Sequence, residues 1–152
     1  MLEELPMNMG GLETTPASSY LFNTDPGCKK LGKDEEQLFH HLVAKLLYLS
    51  KCTRQDIQTV VAFLCTRVRK PATDDYKKLT KEMQYLRNTR NMTLSIEPGD
   101  ETKWWVDSLY AVHPDMKSHT GIYMTLRKGV TYMASCKQKL NTKNQQRQNW
   151  WR

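Results

Sequence analysis

The spacing of apolar residues changes once along this chain, near residue 91, and that change sets the expected fold class. Before it, apolar side chains recur every three or four residues, which places them on one face of a helix. After it, they alternate with polar residues, the pattern of half-buried strands. A helical first half and a stranded second half predict an α+β protein: a small helical bundle followed by an antiparallel sheet.

The first half predicts three helices, near residues 35–50, 54–68 and 73–88. Asp34, with Gln37 three residues later, is the expected cap of the first helix, and Thr53 with Asp56 is the expected start of the second. The third should begin at Thr73, because the two acidic residues that follow favour the positive end of a helix dipole. The apolar faces are Phe39, Leu42, Val43, Leu46 and Leu47; Ile57, Val60, Val61, Leu64, Cys65 and Val68; Tyr76, Leu79, Met83 and Leu86.

The second half predicts strands near residues 103–112, 121–127 and 130–136, with a further short strand at 93–96. The segment 97–100, Glu-Pro-Gly-Asp, has the composition of a turn. Arg127-Lys128-Gly129 is the expected hairpin connection between the last two strands. Residues 1–33 have no apolar period and are rich in Gly, Pro, Ser and Thr, so we expect a loop or linker there.

Basic residues exceed acidic ones by 23 to 16, which gives a formal net charge of +7. Such a balance favours an anionic partner such as nucleic acid, although a basic domain without such a partner fits the charge equally well. Many of the basic residues lie on or between the predicted helices, where they could form a binding surface or the ordinary solvated face of amphipathic helices. They are Lys29, Lys30, Lys33, Lys51, Arg54, Arg67, Arg69, Lys70, Lys77, Lys78 and Lys81.

Four cysteines, at 28, 52, 65 and 136, include no Cys-x-x-Cys pair, so their spacing does not predict a zinc cluster. Free thiols favour an intracellular protein, in the cytoplasm or the nucleus. The first residues lack the basic and apolar regions of a signal peptide. No run of 18 apolar residues occurs, so we expect no contact with a membrane.

Three segments of the first half resemble the polymerase region of copia-type retrotransposon Pol polyproteins. Residues 39–49, FHHLVAKLLYL, look like the family's LVGSLLYL segment. Residues 54–57, RQDI, resemble its RPDI, and residues 85–89, YLRNT, resemble its YLKGT. In the family these segments lie at the end of the reverse transcriptase, beyond the palm that performs polymerisation. The resemblance therefore implies that residues 34–91 are a thumb- or connection-like helical end of that enzyme.

The second half resembles the start of the family's ribonuclease H. Residues 106–108 and 115–121 look like its first strand and the following turn, and residues 137–143 resemble the passage from its third strand to its first helix. The resemblance implies that residues 101–143 are the first three strands of an incomplete ribonuclease H-like sheet. Residues 144–152 depart from the family pattern and form a divergent tail.

Ribonuclease H chemistry uses two Mg²⁺ ions held by carboxylates from separate elements. The resemblance makes Asp107 the first of these carboxylates, although an acid on a solvated strand face would need no such role. The second would follow Lys143, but no Asp or Glu follows Asp115 in this sequence. We therefore expect a vestigial catalytic position, an incomplete metal site, no cofactor held by this chain and no catalysis by it.

Polymerase chemistry would need paired aspartates on a palm hairpin, and the only Asp-Asp pair is Asp74-Asp75. Its place at the start of a predicted helix favours a capping role. The partners implied by the resemblance are an RNA–DNA hybrid, bound weakly, and the remainder of the polyprotein. A second hypothesis, of a different class, is a non-catalytic basic module that binds nucleic acid.

Overall fold

The structure, a computed structural model, describes residues 9–140, with three α-helices followed by three antiparallel strands. Helices α1 (Lys33–Cys52), α2 (Gln58–Cys65) and α3 (Thr73–Asn88) form the helical unit, with a 3₁₀ helix at Gln55–Ile57 immediately before α2. Strands β1 (Thr102–Leu109), β2 (His119–Leu126) and β3 (Val130–Lys137) form one sheet in the order β1-β2-β3. The predicted α+β class, with helices before an antiparallel sheet, is confirmed.

Helix α1 begins one residue earlier than its predicted cap. Gly32 is the N-cap, and its backbone N–H donates to the Glu35 carboxylate over 3.2 Å. The prediction that Asp34 and Gln37 form the cap was therefore wrong. A glutamate at the third helical position accepts the backbone N–H of the cap residue, and this interaction places the cap at Gly32.

The second predicted helix is shorter than expected. Residues 55–57 adopt the tighter 3₁₀ geometry, and the α-helix itself ends at Cys65 rather than near residue 68. The backbone N–H groups of Thr66 and Arg67 donate to the carbonyls three residues back, those of Phe63 and Leu64. These shorter bonds end the α-helix, and hydrogen-bonded turns follow it. Thr66 Oγ1 also donates to the Phe63 carbonyl over 2.7 Å and stabilises that ending.

Helix α3 starts at Thr73 as predicted. The buried Asp75 carboxylate accepts the Ala72 backbone N–H at 2.9 Å and pairs with Arg67 Nε at 3.0 Å. Asp74 pairs instead with Lys78 at 2.8 Å, one turn along the helix. The capping role expected for Asp74-Asp75 is confirmed for Asp75, while Asp74 lies in the first turn of the helix without bonding the cap.

The sheet is a meander in which Asp107 of β1 lies opposite Gly121 of β2, and Gly121 lies opposite Ser135 of β3. Strand β1 ends at Leu109 rather than at residue 112, because Ala111 adopts a left-handed φ of 50° and the His113 N–H bonds the Lys117 carbonyl at 3.1 Å. Both features turn the chain away from the sheet.

The short strand predicted at 93–96 was wrong, since residues 92–99 form neither helix nor strand. This segment runs beside the β2–β3 turn, where the Glu97 N–H donates to the Lys128 carbonyl. Gly129, at φ 79°, brings its backbone so close to the Ser95 carbonyl that a Cβ would collide with it.

The hydrophobic core lies within the helical unit, and the sheet joins that unit chiefly through β3 and α2. Residues 9–32 contain no long helix or strand, yet Met9 and Leu21 are buried against the helices. The largest buried core side chains are Phe39, Phe63, Met9, Leu46, Ile57, Leu64, Leu79 and Met83. No helix in the described part of the chain has the length and apolar character needed to cross a membrane.

Candidate nucleic-acid interface

An isolated β-bridge between Lys30 and Ala72 brings two basic segments together. The Leu31 N–H donates to the Pro71 carbonyl at 3.2 Å, and the Thr73 N–H donates to the Lys29 carbonyl at 2.9 Å. The bridge therefore lays residues 29–33 beside residues 69–73. We call the five basic side chains of these segments the bridge cluster: Lys29, Lys30, Lys33, Arg69 and Lys70.

All five side chains of the bridge cluster are exposed, and within residues 9–140 no ion pair engages any of them. Of the neighbouring acids, Glu35 is occupied as the cap of α1 and Asp75 is buried beside Arg67. Asp34 is exposed next to Lys33 and offsets part of the local positive charge. The remaining excess of cations makes this surface suitable for phosphate groups.

Several of the other basic residues singled out in the sequence serve the fold instead. Lys81 pairs with Glu13 at 3.0 Å and attaches residues 9–32 to α3. Lys78 is buried: its Nζ bonds the Asn23 carbonyl, pairs with Asp74 and lies 4.9 Å from the Phe63 ring centroid. The structure thus divides the predicted basic set into a structural group and an exposed group.

Arg54 belongs to the structural group and joins two of the segments that carry the family resemblance. It forms a bidentate pair with Asp56, at 3.0 Å from Nε and 2.8 Å from one terminal nitrogen. Arg54 also donates to the Thr89 carbonyl and hydroxyl, at 3.1 and 2.6 Å, while the Tyr85 hydroxyl donates to Asp56 at 2.7 Å. Residues 54–57 and 85–89 are therefore one hydrogen-bonded cluster in space.

Asp107 lies within the first strand of the sheet, as predicted. It is exposed, and its Oδ1 accepts the Ser108 backbone N–H at 2.8 Å. The next acid along the chain after Asp107 is Asp115, which pairs with Lys137 at 2.8 Å and with Lys117 at 3.9 Å. The hydrogen bond from Lys137 is the main cause that holds the pKa of Asp115 below its usual range.

Among residues 9–140 no group of three or more His, Cys, Asp or Glu side chains could hold a metal ion. The donor set around Asp107 therefore does not fit the two Mg²⁺ ions that the family resemblance implies. The segment 137–143, predicted to lead into the next helix, lies only partly within the described residues, and the divergent tail lies outside them.

Glu82, which the sequence pattern did not single out, is fully buried in the helical core. Neither of its carboxyl oxygens has a hydrogen-bond partner among the described residues. Burial, and to a lesser degree the negative charge of Asp56, raises the pKa of Glu82 to about 9. Its spacing carried a signal: Glu82 lies three residues after Leu79 and four before Leu86, on the apolar face of α3.

A second buried polar cluster, also missed, lies between the sheet and α2. His113 Nε2 lies 3.1 Å from His119 Nδ1, and His119 Nε2 lies 2.6 Å from Ser135 Oγ. Ser135 Oγ in turn donates to Thr59 Oγ1 over 3.4 Å. One proton assignment satisfies both ring contacts: His113 Nε2–H donates to His119 Nδ1, and His119 Nε2–H donates to Ser135 Oγ.

The Phe22 ring packs against both imidazoles, with centroids 5.1 Å from each. Burial, together with the charge of the adjacent His113, lowers the pKa of His119 to about 4. The order of these groups resembles the hydroxyl, general base and orienting group of a catalytic triad, but Ser135 and both histidines are buried. Through the contact between Ser135 and Thr59, the cluster joins the sheet to α2.

Compared with known proteins, this chain matches no family model, no curated protein sequence and no solved structure.

Proposed function

We propose that this chain is a non-catalytic, nucleic-acid-binding piece of a copia-type retrotransposon polyprotein. In this proposal it spans the end of the reverse transcriptase and the start of the ribonuclease H. The observation that carries the binding function is the bridge cluster, where the Lys30–Ala72 bridge gathers five exposed cations from two separate segments.

Two observations support the proposed origin. Residues 54–57 and 85–89 resemble two separate motifs of the family, and they lie in direct contact through Arg54, Asp56, Tyr85 and Thr89. Asp107 occupies the first strand of a three-stranded antiparallel meander, which is where the resemblance puts the first ribonuclease H carboxylate.

The binding mechanism follows from the chemistry of the cluster. Lysine ammonium groups and one guanidinium neutralise backbone phosphates and release condensed counterions, which makes binding strong at low salt and weak at high salt. Phosphate contacts carry no information about base sequence. The chain should therefore bind an RNA–DNA hybrid and duplex DNA with similar, modest affinity.

Catalysis is not part of the proposal, because two-metal hydrolysis needs several convergent carboxylates. Asp107 is the one acid whose position fits that role, and a lone exposed carboxylate cannot hold two Mg²⁺ ions against their hydration.

The test compares two triple variants that carry the same loss of charge. Lys29→Ala/Lys30→Ala/Lys70→Ala removes three cations of the bridge cluster. Lys51→Ala/Lys77→Ala/Lys139→Ala removes three exposed lysines that lie elsewhere and serves as the control. Binding to a labelled RNA–DNA hybrid is measured by fluorescence anisotropy over a series of salt concentrations.

At low salt, the cluster variant should bind at least about tenfold more weakly than the native chain. Because it loses two to three phosphate contacts, the slope of log affinity against log salt concentration should decrease by roughly 0.9 for each lost contact. The control should keep most of its affinity and its slope. Equal losses in the two variants would show that net charge alone drives binding, and unchanged binding in the cluster variant would overturn the proposed interface.

A further inference from the structure

Strand β1 is an edge of the sheet, and no described strand pairs with its outer side. Among residues 9–140, the helices contact the sheet chiefly through β3, at the opposite edge. Three neighbouring side chains of β1 are large, apolar and about half exposed: Trp104 at 58%, Trp105 at 50% and Val106 at 45%. An edge of this kind is a template for another strand.

The charges on β1 are arranged symmetrically about Trp105. Lys103 lies two residues before it and Asp107 two residues after it, so all three side chains share one face of the strand. In an antiparallel pair of identical strands centred on Trp105, Lys103 of each copy lies directly opposite Asp107 of the other. Trp105 then faces its own counterpart, and on the other face Trp104 lies opposite Val106.

We propose that β1 is a self-recognition edge, which pairs with β1 of a second copy of this chain to form a continuous six-stranded antiparallel sheet. The two-fold axis passes through Trp105, and the contact is isologous, with the same residues contributed by both copies. This proposal is independent of nucleic-acid binding and of the ribonuclease H resemblance, and it assigns Asp107 a role in association.

The charge pattern selects this register over its neighbours. Moving the centre by one residue toward Trp104 places Asp107 opposite Glu101, which is repulsive. Moving it by one residue toward Val106 places Asp107 opposite Trp105, which leaves both charges without a partner. Among these three registers, only the centre at Trp105 brings opposite charges together twice.

Lysine on an edge strand commonly prevents pairing, because it places a charge where another strand would lie. Here the effect is reversed, since the carboxylate four residues on supplies the complementary charge. The existing partner of Lys103, Glu101, is 3.6 Å away, and both side chains are largely exposed, so that ion pair is easily exchanged.

The experiment uses the full chain, treated with nuclease so that nucleic acid cannot link copies, and measures mass against concentration by analytical ultracentrifugation. Lys103→Asp and Asp107→Lys each place like charges opposite each other, so each variant alone should dimerise at least tenfold more weakly than the native chain. Lys139→Asp has the same charge change as the first variant, lies outside the strands, and should dimerise like the native chain.

Mixing the two reversal variants provides the decisive arm. In the mixed pair, positions 103 and 107 are both acidic in the Lys103→Asp copy and both basic in the Asp107→Lys copy. Opposite charges therefore meet twice, and a heterodimer should form although each variant alone dimerises only weakly. Its formation also shows that both variants are folded. A monomeric native chain, a dimer unaffected by the reversals, or a mixture that stays monomeric would each overturn the proposal.

Discussion

At the scale of single residues, two buried ionisable groups make stability depend on pH in opposite directions. Glu82 has its pKa raised from 4.5 to about 9, so between these values the folded state binds more protons than the unfolded state. Its effect is to lower the free energy of unfolding as pH rises through that range. His119 has its pKa lowered from 6.5 to about 4, so its effect is to lower that free energy as pH falls through this lower range.

Replacing Glu82 by Gln should remove the first dependence. The amide cannot ionise, so at pH 8 the variant should be more stable than the native chain by more than about 2 kcal/mol, and near pH 5 the difference should shrink. Urea unfolding at both pH values measures this. Glu101→Gln, at a carboxyl that is 82% exposed, is the control and should change little. A Glu82→Gln variant that is less stable at pH 8 would contradict the assigned protonation.

Replacing His119 by Gln should reduce the decrease in the free energy of unfolding as the pH falls. The native chain should lose roughly 2 kcal/mol between about pH 6.5 and pH 4 through this residue, after allowance for screening by solvent, and the variant should not. The groups that face it are His113, Ser135 and, beyond them, Lys137. His40→Gln, at an exposed histidine, is the matched control. A decrease that is unchanged in the variant would show that another group is responsible.

The environments of these buried residues could not be predicted from the local sequence. The spacing of Glu82 placed it on the apolar face of α3, but a glutamate in that position more often extends to solvent. His113 and His119 are six residues apart with a turn between them, and only the closure of that turn brings the two rings together. Local pattern carries no information about such a closure.

At the scale of elements, Arg54 joins the start of the second helical segment to the end of α3. Arg54→Ala should cost about 3 kcal/mol, because it leaves Asp56 partly buried without its cation, whereas Tyr85→Phe should cost about 1 kcal/mol. The double variant should cost less than the sum, since both residues act on the same carboxylate. Thermal or urea unfolding of the four proteins completes this cycle. Strict additivity would show that the two contacts are independent.

The helices were more predictable than their ends or the strand edges. Helix α3 was placed correctly because its apolar period, its acidic first turn and the preceding Pro71 all indicate the same start. The end of α2 depends on backbone hydrogen bonds to carbonyls three residues earlier in the chain. The absence of the predicted strand at 93–96 depends on the close approach of Gly129 to Ser95. Both are tertiary effects that local propensity does not contain.

At the scale of the whole molecule, the helical unit contains the core, and in the sheet beside it no described strand pairs with the outer side of β1. The resemblance to copia-type Pol polyproteins predicts that adding that family's downstream segment after Lys143 would supply the further carboxylates that the reaction needs. That longer chain should cleave an RNA–DNA hybrid in the presence of Mg²⁺, and Asp107→Asn in it should abolish cleavage while circular dichroism shows an intact fold. Cleavage that survives Asp107→Asn would show that the ribonuclease H assignment of this residue is wrong.

The bridge cluster was only partly predictable, because the sequence showed many basic residues without showing which of them meet. Lys29 and Lys70 are brought together by one β-bridge, and Lys78 is withdrawn into the core by Asp74 and Asn23. The net charge predicts a class of partner, and the tertiary contacts show which of the cations lie together.

The proposal that this chain binds nucleic acid without cutting it can be tested for both properties in one measurement. A doubly labelled RNA–DNA hybrid is incubated with the 152-residue chain at low salt, first without metal and then with Mg²⁺ or Mn²⁺. Anisotropy reports binding, and separation of the two labels reports cleavage. We expect salt-sensitive binding and an uncut hybrid under every condition. Metal-dependent cleavage, or the absence of binding at low salt, would contradict the proposed function.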